Sequence, residues 1–270
     1  MTTTQASTDA GVAGAVGSRT LDVVDLLTDP IQRYTRRWML APETNRYGTD
    51  LGFATGVQFW IVGRAGVLGS CPADVAAAAI AFEPVDVVRR AWAAVPDGLT
   101  HHEVAVHYAG RPVAFTERAL ADVDPDVLER VDLLGRRVVD AAPASLGLLF
   151  AGWRLLEPPA TPAGRAGLTL HLLRELRGAA HICAIAACGL SPLDAILAAP
   201  HPPPRTGPGY AERMGWVGPF RDPEEVREAR LRAEDLTSQI LVPAFGALAD
   251  DELEALLDAV TAVCAVGETL

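Results

Sequence analysis

The sequence predicts an all-α protein, and three observations carry that prediction. Proline recurs where helices begin: Asp29-Pro30, Cys71-Pro72 after Ser70, Glu83-Pro84, Asp124-Pro125, Thr161-Pro162, Ser191-Pro192 and Asp222-Pro223, mostly behind a capping side chain. Proline is tolerated there because the first-turn amide has no helical partner and the ring already holds φ near its helical value. Between these starts, apolar residues recur three and four apart, as in Val127, Val131, Leu134 and Val138. Two-residue alternation of β-branched residues, the signature of a half-buried strand, is scarce.

Taken in order, these signals place helices near 21–27, 30–40, 50–63, 72–82, 84–95, 101–109, 113–122, 125–141, 145–155, 162–188 and 192–198. The stretch Val104-Ala105-Val106 is the nearest thing to a strand, but Thr100 and Glu103 form a capping box ahead of it, so it reads as helix. Pro200 to Gly209 holds too much proline for a helix or a central strand and reads as a stiff linker. Two further helices follow near 223–242 and 250–265. The expected organisation is a flexible tail over 1–18, a helical core over 19–199, the linker over 200–209 and a C-terminal helical segment over 210–270. The tail rests on a Thr/Ala/Gly/Ser-rich composition with neither a basic start nor a long apolar run, which also argues against a secretion signal.

At 270 residues the chain is long enough to bury a core without disulfides or metals. Its 23 basic residues, all arginine, face 34 acidic ones, giving a net charge of −11. The absence of lysine excludes a pyridoxal phosphate aldimine, a lysine Schiff base and a Walker-type phosphate lysine. An acidic surface repels nucleic acid and anionic membranes unless the arginines cluster on one face. The region from Gly209 onward holds 5 Arg against 13 Asp and Glu, so most of the negative charge sits there. Cys71, Cys183, Cys188 and Cys264 form no Cys-x-x-Cys pair and lie in apolar surroundings, the pattern of buried thiols in a reducing cytoplasm. No run reaches the roughly 18 apolar residues of a membrane span; Gly178 to Pro192 comes nearest. The expectation is a cytoplasmic protein that binds neither nucleic acid nor membrane.

The helix near 162–188 is apolar on nearly every side, yet carries His171, Arg174, Glu175, Arg177 and His181. At about 100° per residue, His171, Arg174, Arg177, Gly178 and His181 fall within roughly a 120° arc, with Glu175 at its edge. One reading is a pocket wall where Arg174 and Arg177 hold a carboxylate while His181 or Glu175 moves protons. The other is internal ion pairing with neighbouring helices. A second candidate is the loop Gly63-Arg64-Ala65-Gly66-Val67-Leu68-Gly69, which brings Arg64 to a helix start where an anion would be held. It lacks the strand and spacing of a dinucleotide fingerprint. His101, His102, Glu103 and His107 miss the spacing of a zinc-binding His-Glu-x-x-His, and capping accounts for Thr100 and Glu103. Ser145, Ser191 and Cys71 lack the surroundings of a covalent nucleophile.

The run Leu172-Leu173-Arg174-Glu175-Leu176-Arg177-Gly178-Ala179-Ala180-His181, with Ala187-Cys188-Gly189-Leu190, resembles the signature of actinobacterial SalK-like proteins, often labelled winged helix-turn-helix. The loop at 63–69 and Ala81-Phe82-Glu83-Pro84 resemble that family's N-terminal pattern, and the likeness covers about residues 25–200. The family pattern has His in place of Leu176 and Asp-Gly in place of Ala179-Ala180. Only Tyr210 to Phe220 separates the linker from the helix at Pro223, too little for a winged helix-turn-helix, so the DNA-binding part of the likeness does not carry over.

The resemblance implies a setting in specialised metabolism. The expected function is an enzyme acting on a small carboxylate-bearing substrate by acid–base chemistry, of lyase, cyclase or condensation type and without a cofactor. His181 and Glu175 would move protons, Arg174, Arg177, Gly178, His171 and Arg64 would bind the substrate, and Trp60 and Trp153 would stack on it. The alternative is a non-catalytic small-molecule-binding protein or a ligand-responsive regulator that has lost its winged helix-turn-helix. A haem protein ligated by His181 or His171 is a third possibility. The two C-terminal helices present an apolar face that packs either on their own domain or on a second copy as a homodimer.

Overall fold

The computed structural model describes residues 5–202 and 204–266, with side chains from Ser18 onward except that of Leu40. Among these residues there are thirteen α-helices and no strand. In chain order they are α1 (Gln5–Leu40), α2 (Pro42–Asp50), α3 (Gly56–Ala65), α4 (Ala73–Ile80), α5 (Val85–Trp92), α6 (His101–Ala119), α7 (Pro125–Ala141), α8 (Leu148–Trp153), α9 (Pro162–Ala187), α10 (Pro192–Leu197), α11 (Pro208–Met214), α12 (Pro223–Phe245) and α13 (Asp250–Val266). The first four residues of the expected tail lie outside the described residues; the backbone of 5–17 belongs to α1 and its side chains are not described.

Capping chemistry sets most of the starts. Asp124, Thr161, Ser191 and Asp222 each accept a bond from a first-turn amide ahead of a proline, and Thr100 with Glu103 forms the expected capping box. Four boundaries differ from expectation. Pro30 and Pro112 sit inside α1 and α6 instead of dividing them. An interior proline costs about 3 kcal/mol, and here packing offsets it: Val23, Leu27, Ile31, Tyr34 and Trp38 are buried along one face of α1 across Pro30. The expected 50–63 helix is interrupted at 51–55, where Gly52 takes φ +106, and Thr55 with Gln58 supplies a capping box that restarts the chain as α3. The Pro-rich stretch ends earlier than expected, because Pro208 begins α11.

At the centre lies α9, in contact with α7, α12, α6, α8 and α1. Leu168, Leu170, Leu172 and Leu176 are buried on it at all azimuths, each contributing about 2 kcal/mol of apolar burial. Gly135 on α7 lets that helix close onto α9, since a Cβ there would strike Thr169. The C-terminal helices join the same core. α13 packs on α1 and α7, and α12 on α9, α1 and α7. Among the described residues no helix is long and apolar enough to cross a membrane. Among the described residues none of the four cysteines forms a disulfide, and only Cys264 is buried. Cys183, expected inside, is exposed because it faces outward from α9.

Candidate functional site

The polar residues of α9 divide between three environments. In the first, Arg64 at the C-terminal end of α3 donates from Nε to Glu175 Oε1 (2.9 Å) and from Nη2 to Oε2 (3.0 Å), a buried two-pronged pair. Trp153 Nε1 donates to the Arg64 carbonyl at 3.1 Å and so fixes the end of α3 that carries the guanidinium. Burial alone would raise the Glu175 carboxyl; the Arg64 guanidinium, helped by His171 and Arg174, outweighs it and holds Glu175 well below the usual carboxylate range. His171 Nε2 is 3.8 Å from Glu175 Oε1, and the His171 ring stands edge-on to Trp153 (centroids 4.2 Å) and Trp38 (5.3 Å). Among the described residues neither His171 nitrogen has a hydrogen-bond partner, and burial brings the group down to about 3, so the imidazole is neutral.

In the second environment His181 Nδ1 meets Thr237 Oγ1 at 2.9 Å. The Thr237 hydroxyl already donates to the Ala233 carbonyl at 2.6 Å, so it accepts from His181, which fixes the proton on Nδ1. Phe82 stacks over the imidazole at 5.8 Å and 21°. Burial, with repulsion from Arg230, brings His181 to about 3. Nearby, Arg177 and Arg230 both pair with Glu234 of α12, and Arg230 Nε donates to the Ala195 carbonyl at 3.1 Å. Those two guanidinium groups overcome the effect of burial and keep Glu234 ionised.

The third environment holds Arg174. Among the described residues its side chain makes no hydrogen bond or ion pair, and its Nε is fully buried. Burial and the repulsion of Arg64 lower it to about 10. It lines, with Arg177, Gln32 and Thr28, a cleft between α1, α9 and α12 whose apolar wall includes Leu27, Ile31 and Phe245. The cavity volume is about 20 Å³, room for one water-sized group, and the cleft opens to solvent on one side.

The structure thus gathers Arg64, Glu175, His171 and Trp153, sets Arg174 beside Arg177 in one cleft, and leaves His181 under Phe82. Gly178 has open space: the nearest atom to a Cβ built there is Arg64 Nη2 at 3.9 Å. Trp60 is half-buried against the core and makes no polar contact with this stripe among the described residues. His101 stacks on Trp92, His107 Nδ1 meets the Tyr47 hydroxyl, and no group of three or more potential metal ligands occurs among the described residues.

Sequence reasoning did not single out Glu234, Thr237 and Arg230, which complete these environments from α12. It also passed over the strained turn between α4 and α5. Ala81 takes φ +65 and ψ −48, and the Phe82 amide donates to the Ile80 carbonyl at 2.8 Å, the uncommon hand of γ-turn. Beyond it Glu83 is largely buried and has no hydrogen-bonding or ion-pairing partner among the described residues. Burial pushes its carboxyl up to about 7 against the pull of Arg64. Trp216 Nε1 donates to the Phe82 carbonyl at 3.2 Å, tying the turn to the C-terminal segment.

A family model described as a helix-turn-helix family matches residues 25–267, past the Pro-rich stretch where the likeness was expected to end. No curated protein and no solved structure matches the chain. α4 and α5 are consecutive short helices that are joined by the four residues 81–84 and packed on each other.

Proposed function

The chain belongs to this helix-turn-helix family, and from that premise we propose that it is a non-catalytic, ligand-responsive regulator that takes up a small anion at Arg174. The observation that carries this reading is the state of the stripe. Both acid–base candidates are occupied structurally: Glu175 by Arg64, and His181 by Thr237 under the Phe82 ring. Within the stripe, Arg174 has a buried Nε and no hydrogen bond or ion pair among the described residues, and it stands in the wall of a cleft. A desolvated cation is costly unless paired, so an anionic ligand at this place gains more than it would at an exposed arginine.

The reading keeps the resemblance to SalK-like proteins without their DNA-reading part. No strand that could form a wing occurs among the described residues. On the α4–α5 pair, Arg89 is held by Asp74 and Asp86, and with Arg90 the two helices carry two basic and two acidic residues, so they offer no net positive charge to phosphates on a chain of net −11.

Thermal unfolding with butyrate, hexanoate and octanoate tests the proposal, with the matching alcohols as neutral controls. The carboxylates should raise the midpoint and the alcohols should not. Arg174→Met should raise the midpoint of the ligand-free protein and abolish the carboxylate effect. Carboxylate shifts of equal size in wild type and variant, or turnover of a carboxylate lost in His181→Ala at unchanged helicity, would defeat it.

A further inference from the structure

The cleft at Arg174 carries more positive charge than one carboxylate answers. Arg36 lies one turn beyond Gln32 on α1, and Gln32 lines the cleft. Among the described residues Arg36 has no hydrogen bond or ion pair, and it is close enough to repel Arg174. On α9, Arg177 adds a third guanidinium in the cleft wall. Glu234, which also pairs with the buried Arg230 outside the cleft, answers Arg177, so Arg174 and Arg36 are left without an ion pair among the described residues. The acids on this part of α1 are engaged elsewhere: Asp29 pairs with Arg33, and Asp25 accepts from the Ser238 hydroxyl.

We infer that the cleft between α1, α9 and α12 binds a small molecule with a compact dianionic head, with one oxygen seated at Arg174 and the remaining charge at the mouth beside Arg36 and Arg177. Planar guanidinium groups converging from two helices match the several acceptor oxygens of such a head. The narrow recess has room for one such oxygen, so the rest of the head and the body of the molecule stay at the mouth. Two ligand classes share this chemistry, phosphomonoesters and compact dicarboxylates. The inference rests on the reading of Arg174 as an anion site and adds the charge of the ligand.

Calorimetric titration of the full chain at low salt, with inorganic phosphate, malonate, acetate and a 20-base-pair DNA duplex as probes, tests it. Phosphate or malonate should bind at least tenfold more tightly than acetate. Binding of phosphate alone assigns the phosphomonoester class, and binding of malonate alone the dicarboxylate class. Arg36→Gln should weaken the dianion at least fivefold and so erase most of its advantage over acetate. Acetate binding as tightly as both dianions, or no effect of Arg36→Gln, overturns the dianion inference while leaving Arg174 as an anion site. No anion binding by the folded wild type overturns both. Duplex binding that displaces the small anions overturns the inference in favour of a nucleic-acid surface.

Discussion

Two arginines flank the same turn of α9 in opposite conditions. Arg64 reaches Glu175 from α3 with both prongs satisfied, whereas Arg174, one residue before that glutamate, points toward α1 and α12 and meets no acid among the described residues. Arg64 is the more buried of the two, and the larger difference is the counter-charge. A buried pair of this kind holds two helices in register, while an unanswered buried guanidinium opposes folding and gains from anything that neutralises it. The contrast separates a structural use of arginine from a binding use within one helix.

The largest expected effect comes from breaking the satisfied side. Glu175→Gln leaves Arg64 buried without its carboxylate, and about 3–5 kcal/mol of unfolding free energy should disappear in a urea titration. Replacing both partners, Arg64→Met with Glu175→Leu, should recover most of that loss, because the cost lies in the stranded charge and not in a missing contact. A loss below about 1 kcal/mol in the single variant would mean that Arg64 finds another partner, and the contrast with Arg174 would fall.

How much of this contrast was legible in the sequence follows from what is local and what is not. Helix starts are decided within four residues, so Thr100 with Glu103 and Asp124 ahead of Pro125 announced α6 and α7. Pro30 and Pro112 misled because their cost is offset by packing across the fold, which no neighbouring residue reports. Periodicity placed Arg174, Arg177 and His181 on one stripe, yet it was silent on their partners. Glu175 finds Arg64 across 111 residues, Arg177 finds Glu234 across 57 and His181 finds Thr237 across 56. Arg174 and Arg177 look alike in sequence, and only the approach of α12 makes one a strut and leaves the other open.

Glu83 sharpens the comparison from the acidic side, being a buried carboxyl near the same Arg64 but outside its pair. Its folded value of about 7 lies above the ordinary 4.5, so the folded state keeps a proton that the unfolded state has already released. Stability should therefore be greatest below about pH 4.5 as far as this group is concerned, and fall as pH rises toward about 7, by up to about 3 kcal/mol. Glu83→Gln should remove that slope and make the protein more stable at pH 8 than wild type. An unchanged slope in urea titrations across this range would show that Arg64, although committed to Glu175, still compensates the Glu83 charge.

The smallest effect concerns Gly178, which sits between the two arginine environments and which the sequence cast as a backbone opening for a ligand. A mid-helix glycine costs roughly 1 kcal/mol relative to alanine through the freedom it loses on folding. A Cβ at 178 would meet only Arg64 Nη2, at an ordinary contact distance of 3.9 Å, so the helix gains the propensity of alanine without a clash. Gly178→Ala should raise stability by about 0.5–1 kcal/mol, which for a chain of this size is roughly 2–4 °C in the unfolding midpoint. If the binding site is the Arg174 cleft on the α1 and α12 side, the same variant leaves the response to added anions intact. Loss of that response with the stability gain preserved would move the ligand to the Arg64 side of α9, where the open space beside Gly178 lies.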